Sequence, residues 1–490
     1  MTIQNSKLNN VKYLIAFIIF FFGIFFFAEN SLAANRYIRA EATGANNGTS
    51  WTDAWASFSS VAWTRGDTYY VASGLYPENV TISVSGSSWL YIKKATVGEH
   101  GTDTGWNDSY ASGPAEIRGN CAVTGTNIAN PLRILSSFID VDGVTGSDNS
   151  GHGIKIALAG CSDTTWATGG IVILGAGSDS IHLNHMDISG GGFGTYYSTD
   201  GLYQVQLATN PAIDIEVKNT WIHDVSRNGI TIGGQQGTSF SAGSRGFLFE
   251  NSHVERTGGC TYPNWHGQGV QIYGGGGTSY VIFRNSKFID ISGTGYIAFL
   301  GGSAYDNTRI YNNIFYSTDK AQFTASPGVI TVLDSALSSD NLQVYNNTFY
   351  NIDLKGVTNW TSSGSGNELK NNIFVNSSFS YGNIGFIFEN NDYYNNTYNS
   401  SVTWRYFNEP GYQTETADPF VSSAGYDFRL VSTANAVNSG ANLGSTFSSD
   451  FVDVSRPQGS AWDIGAYEYA GGSPPPDTTP PSPPTNVSVI

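Results

Sequence analysis

Apolar and polar residues alternate in short runs through the middle of the chain, and each run is interrupted by a neutral amide. "NNTFYN" at Asn346 is one such run. It returns with drift as "NTWIHD" at Asn219, "NSHVER" at Asn251, "NSKFID" at Asn285, "NNIFYS" at Asn312, "NNIFVN" at Asn371 and "NNDYYN" at Asn390, with a weaker copy, "HLNHMD", from His182. The intervals are unequal, which marks a repeated coil carrying loops of different length. Two residues before each start stand Val217, Phe249, Phe283, Ile310, Val344, Leu369 and Phe388; three residues after stand Ile222, Val254, Phe288, Phe315, Phe349, Phe374 and Tyr393. Both columns are apolar, so both face a core. If successive coils stack as parallel strands about 4.8 Å apart, the start asparagines lie one above another and each amide donates to the next, an asparagine ladder.

A second periodic element pairs a corner glycine with an apolar strand: "HGIKI" at His152, "DGLYQV" at Asp200, "NGITI" at Asn228, "QGVQI" at Gln268, "TGYIAF" at Thr294 and "PGVITV" at Pro327. Short strands, tight corners and one apolar interior predict an all-β chain folded as a right-handed parallel β-helix. A sandwich or propeller would need hairpin signals at even spacing, and an amide column has no reason to form in either.

The coils resemble the pectate-lyase-like β-helix superfamily. "RYIRAEATGANNGTSWTDAWASFSSV" with "GDTYYVASGLYPENVTI" resembles the opening region of secreted bacterial members, and "DPFVSSAGYDFRLVSTANAVNSGANL…RPQGSAWDIGAYEY" resembles the segment that closes such helices. None of these motifs is catalytic, so the resemblance implies a fold and not an activity.

The ends divide the chain further. Residues 1–33 carry lysines, an apolar block from Leu14 to Phe27 and Ser31-Leu32-Ala33, the pattern of a cleaved secretory signal peptide, too short for the roughly 20 residues that span a bilayer. Residues 34–125 read as an N-terminal cap with the first coils, 126–400 as the coils and 401–469 as the closing segment. Trp51, Trp55, Phe58 and Val61 fall at helical spacing behind Ser50, which predicts a short capping helix over the first coil. Residues 470–490 read as a Pro-rich linker whose last residues resemble the start of a fibronectin-type-III module.

Composition narrows the function. The formal charge is −16, which disfavours nucleic acid because phosphate contacts need clustered Lys and Arg. Charged residues make up only 13%, aromatics 14%, and glycine is abundant, as suits a turn-rich β fold. Cys121, Cys161 and Cys260 fit no zinc spacing and allow at most one disulfide. A monomeric protein, exported and with no membrane association after signal cleavage, is expected.

Five of the seven histidines (His182, His185, His223, His253 and His266) lie close together in sequence, and outward residues of the corner-and-strand element would form rows. One row aligns His152 and Lys155, Asp200 and Tyr203, Arg227, Asn228 and Thr231, then His266, Gln268 and Gln271, with Trp265 offering a flat face to a sugar ring. Such a row suits an extended polysaccharide. Elimination on an acidic polymer needs a base, for which Arg227, Lys155 and His266 are candidates, and a positive centre, either Arg227 or a Ca²⁺ held by Asp200. His152, Tyr203, Asn228, Gln268, Gln271 and Trp265 would bind substrate. A further column, Asp187, Asp224, Arg256 and Asp290, reads either as an ion-pair network or as a pair of hydrolytic carboxyls. Three functions follow: a secreted carbohydrate-active protein that cleaves an acidic polysaccharide by β-elimination, a non-catalytic surface or adhesion protein, and a glycoside hydrolase on the same fold.

Overall fold

The computed structural model describes residues 33–471, except 121–122, 125–126, 129, 160–167, 191–197, 206–211, 259–266, 274–276, 294, 301–304, 321–329, 333–339, 355–363, 380–385 and 399–407. The signal segment, the three cysteines and the Pro-rich tail therefore lie outside the described residues. Among these residues the strands stack into three walls, two of 12 strands and one of 10. Wall A runs from Asn35–Ile38 to Ile387–Glu389 and wall B from Gly74–Tyr76 to Gln413–Thr414; wall C includes Thr168–Leu174, Ser198–Gln204, Ile230–Ile232, Gln268–Tyr273 and Gly295–Leu300. The middle coils visit A, then B, then C, and the last coils place their third strand in a separate three-stranded sheet. Strands of the walls pair in parallel one coil on, apart from the antiparallel pair Val123–Thr124 with Asn127–Ile128, so the chain is a parallel β-helix. No helix among the described residues is long and apolar enough to cross a membrane.

The interior follows from the two apolar columns. Val217 pairs with Phe249, Phe249 with Phe283, Phe283 with Ile310 and Ile310 with Val344 on wall A. On wall B, Phe288, Phe315, Phe349 and Phe374 stack with ring centroids 4.9, 4.9 and 4.8 Å apart. Equivalent positions in stacked coils are the same distance apart as stacked rings prefer, so the repeat itself positions the aromatic column.

The main vertical chain of amide bonds sits one residue after the start of each run, and the starts themselves are corners. Asn219, Asn251, Asn285, Asn312, Asn346, Asn371 and Asn390 all hold left-handed backbone, φ between 47° and 57°, and turn the chain from wall A into wall B. Asparagine tolerates that region far better than other residues with a Cβ. The residue after each corner points inward, and there the amides bond vertically: Asn313 Nδ2 donates to Asn347 Oδ1 (3.1 Å), Asn347 to Asn372 (3.0 Å) and Asn372 to Asn391 (3.1 Å). Thr220, Ser252 and Ser286 continue the column in earlier coils, each hydroxyl accepting or passing a bond at the same place. In the later coils the corner asparagines also reach the closing segment, as when Asn346 Nδ2 donates to the carbonyls of Asp463 (2.8 Å) and Gly465 (3.1 Å), and the expected bond between start amides forms once, from Asn371 Nδ2 to Asn346 Oδ1 (3.1 Å).

Three other expectations are corrected. The copy starting at His182 is out of frame by three: His185 takes the left-handed corner, and Asp187 pairs with Trp221, not Asp224. "HGIKI" belongs to wall B, since Lys155 pairs with Asp187, whereas the strands after Asp200, Asn228 and Gln268 form wall C. The capping helix is replaced, among the described residues, by turns and one short 3-10 segment, Phe58–Ser60. Ser50 Oγ does accept from the Asp53 N–H (3.1 Å), but the Trp55 N–H then donates to Tyr37 O (3.0 Å) and its carbonyl accepts from Arg39 N (2.9 Å). Pairing with the first strand thus claims the groups a helix would need. Trp51, Trp55 and Phe58 are buried all the same.

Candidate functional site

Wall C carries most of the proposed row. Tyr203 pairs with Thr231 and Thr231 with Gln271, so the three stand in one outward column on successive coils; Tyr203 and Gln271 are half-buried, while Thr231 between them is covered and 2% exposed. At the corner leading into these strands, Arg227 Nε donates to Asp200 Oδ1 (2.7 Å) and Nη2 to Oδ2. Asp200 also accepts from Asn228 N (3.2 Å) and Thr231 Oγ1 (2.9 Å). Asn228 Nδ2 donates to Thr231 Oγ1 (2.9 Å) and Gln271 Oε1 (2.6 Å), and its Oδ1 accepts from Gln268 N (3.0 Å). The result is one polar network across three coils, built around a side chain, Asp200, that is 1% exposed. Burial and the nearby Asp200 charge both raise the Tyr203 phenol above its ordinary value, with Arg227 opposing, so the phenol keeps its proton at neutral pH.

Asp200 has its oxygens taken by a guanidinium, a backbone N–H and a hydroxyl. That is the setting of a counter-ion rather than of the open, multi-carboxylate oxygen set that Ca²⁺ takes. The grouped metal-type donors among the described residues lie elsewhere, on wall A: His182, Asp214 and Glu216 have ligand atoms within 4.8 Å of one another. Glu216 there is already bonded to Arg245 (2.9 Å) and Lys218.

His152 and Lys155 stand on wall B with a different set of partners. Lys155 Nζ lies 3.4 Å from Asp187, and His223 bridges Asp187 (3.0 Å) and Asp224 (2.7 Å). Arg256 holds Asp224 with both nitrogens (2.7 and 2.9 Å), while Asp290 accepts from Thr318 N and Oγ1, both at 2.7 Å. Trp221 stacks on His223 with centroids 3.4 Å apart. Burial lowers His152 to about 4, so that ring is neutral. Burial works to raise Asp187 and Asp224, but hydrogen bonds from His223 and Arg256 outweigh it and hold both below the usual carboxylate range. Two ionised carboxylates bridged by a histidine make a charge network; neither offers the proton that glycoside hydrolysis requires at neutral pH.

The proposed row therefore divides. Asp200, Tyr203, Arg227, Asn228, Gln268 and Gln271 share wall C, Lys155 and His152 belong to wall B, and Trp265 and His266 lie outside the described residues. The ion pair of Asp224 with Arg256 is the one expected from the sequence column, whereas the His223 bridge that joins Asp187 to it was not, because the frame error at His182 puts Asp187 opposite Asp224.

No protein-family model matches the chain, and no curated protein matches it in sequence. Among solved structures it is similar to an alginate lyase from Paenibacillus sp. str. FPU-7, at 12% identity over 77% of this chain and 99% of that one, TM-score 0.38. It is also similar to PfbA, a surface adhesin of Streptococcus pneumoniae, at 13% identity over 68% of this chain and 83% of that one, TM-score 0.31. Likenesses this distant carry no functional argument, and the fold assignment rests on the strand register itself.

Proposed function

We propose that wall C binds an extended acidic polysaccharide outside the cell and that the protein cleaves it by β-elimination. The observation that carries this reading is the in-register row of Tyr203, Thr231 and Gln271 on successive coils, with Arg227 pinned beside it. A step of about 4.8 Å between coils spaces these groups along a line, as a linear glycan needs. In elimination a base removes the proton on the carbon alpha to the carboxylate, the electron pair forms a C=C bond and the glycosidic oxygen leaves with a proton. Arg227 supplies positive charge beside the carboxylate, and the protonated Tyr203 phenol is suited to give the proton to the leaving oxygen.

Adhesion without chemistry is the second reading. One feature favours it: the bidentate contact with Asp200 already neutralises Arg227. The discriminating experiment incubates the protein with alginate, polygalacturonate and hyaluronate and follows both binding and the ultraviolet absorbance of unsaturated uronate ends. Cleavage requires product from the wild type and its loss in Tyr203→Phe with binding retained. Binding with no product from any polymer leaves adhesion, and absence of binding removes both readings.

A further inference from the structure

The cations near the candidate site are paired with carboxylates: Lys155 with Asp187, Arg227 with Asp200, Arg256 with Asp224 and Lys287 with Asp148. Arg133 differs. It is the outward residue of the strand Leu132–Ile134, it is exposed, and it has no carboxylate partner among the described residues. Register connects it to the row above. Arg133 pairs with Ile173 and Ile173 with Tyr203, so it stands in the same outward column, two coils before Tyr203, about 10 Å away along the wall. Two positions along from Arg133, on the same outward face, Leu135 is 37% exposed and stands beside the column.

We propose that Arg133 is the carboxylate-recognising subsite of wall C, gripping an acidic sugar two coils away from the one at Tyr203. This rests on the reading of wall C as a glycan-binding face. A guanidinium without a carboxylate partner presents a planar fork that matches a carboxylate in two parallel hydrogen bonds, and Leu135 beside it offers an apolar contact to the sugar ring. The adjoining coil offers Ile173, not a second charge, so the acid group is read at one end of the row and the neutral hydroxyls at Gln271. The ligand class is a linear polyuronate, distinguished from a neutral glycan of the same backbone by this residue.

The test compares alginate and polygalacturonate with the same polymers after reduction of their carboxyls, against wild type, Arg133→Ala, Arg133→Lys and Tyr203→Ala. Arg133→Ala should bind the acidic polymers about tenfold more weakly, leave the reduced polymers unaffected and melt at the wild-type temperature. Arg133→Lys should recover only part of the loss, since it keeps the charge and not the fork. If Tyr203→Ala weakens binding and Arg133→Ala does not, or if Arg133→Ala weakens acidic and reduced polymers equally, the Arg133 subsite is wrong while the wall stands. If the wild type binds none of them, the wall fails with it.

Discussion

Asn346 and Asn347 are neighbours of identical chemistry with different tasks. Asn347 points inward, where its Nδ2 donates to Ile310 O (2.8 Å) and Asn372 Oδ1 (3.0 Å) and its Oδ1 accepts from Asn313 N (2.9 Å) and Nδ2 (3.1 Å). Asn347→Ala strands several buried groups together and should cost about 3 kcal/mol in chemical denaturation, near the upper range for one residue. Asn346→Gly keeps the left-handed corner (φ 50°) open to the backbone and loses the two bonds to the closing segment and the one its Oδ1 accepts from Asn371 Nδ2 (3.1 Å), a donor that keeps its second acceptor, Ala441 O. It should cost about 1 kcal/mol, with faster amide exchange around residues 463–466 as its signature. The sequence pattern pointed to the doubled amide but not to the division of labour, because in the later coils both positions are asparagine. Thr220, Ser252 and Ser286 held the clue: the column that admits hydroxyls is the hydrogen-bonded one, and the column that stays asparagine is the one that needs positive φ.

Among the strands and corners, the glycines explain both what was readable and what was not. A Cβ on Gly201 would lie 2.6 Å from Gly229 O, one on Gly229 would lie 2.6 Å from Gly269 O, and one on Gly269 would lie 2.6 Å from Tyr296 O. The corner into wall C thus leaves no room for a side chain between stacked coils. Gly229→Ala should destabilise by about 2–3 kcal/mol and, by displacing Asn228, weaken any ligand held on wall C; a melting curve and a binding titration check the two effects together. Gly153 is crowded in the same way, 2.0 Å from Gly143 O, but at the corner into wall B. A polar residue followed by glycine therefore marks a corner without saying which one, and this is why Lys155 and His152 were placed beside Arg227 in the sequence reading. The apolar columns were legible because every coil repeats them. The site was only half legible because an ambiguous corner moves a residue to another wall, as with Lys155, and a frame error moves it along its own wall, as with Asp187.

At the scale of the whole molecule, the two ends are finished differently. Aromatic side chains held by turns close the first coils, while the last amide of the inner column, Asn391, donates from both N (2.5 Å) and Nδ2 (2.8 Å) to Glu409, which also accepts from the Tyr393 hydroxyl (2.7 Å). Burial raises Glu409 from its ordinary 4.5 to about 7, against the opposing hydrogen bonds. The folded protein holds this proton more tightly than the unfolded chain, so the contribution of Glu409 to stability is fully present below about 4.5 and is lost as the pH rises through about 7, by up to about 3 kcal/mol. Asp392, buried beside Glu415, shifts in the same direction. Melting temperatures of the wild type should drop across that interval, and Glu409→Gln, which keeps an oxygen for Asn391, should flatten much of the drop. An unchanged slope would mean that Glu409 does not carry the proton.

Asn312, Asn346, Asn371 and Asn390 each donate to a carbonyl of the closing segment, at Ser449, Asp463, Ala441 and Ser439. Those carbonyls follow every coil in chain order. A polypeptide growing from its amino end can wind its coils early, but one ridge of the spiral keeps its donors facing water until the closing segment emerges and clasps it. Arrival of that segment, and not winding alone, therefore sets the moment at which the ridge becomes resistant to proteases.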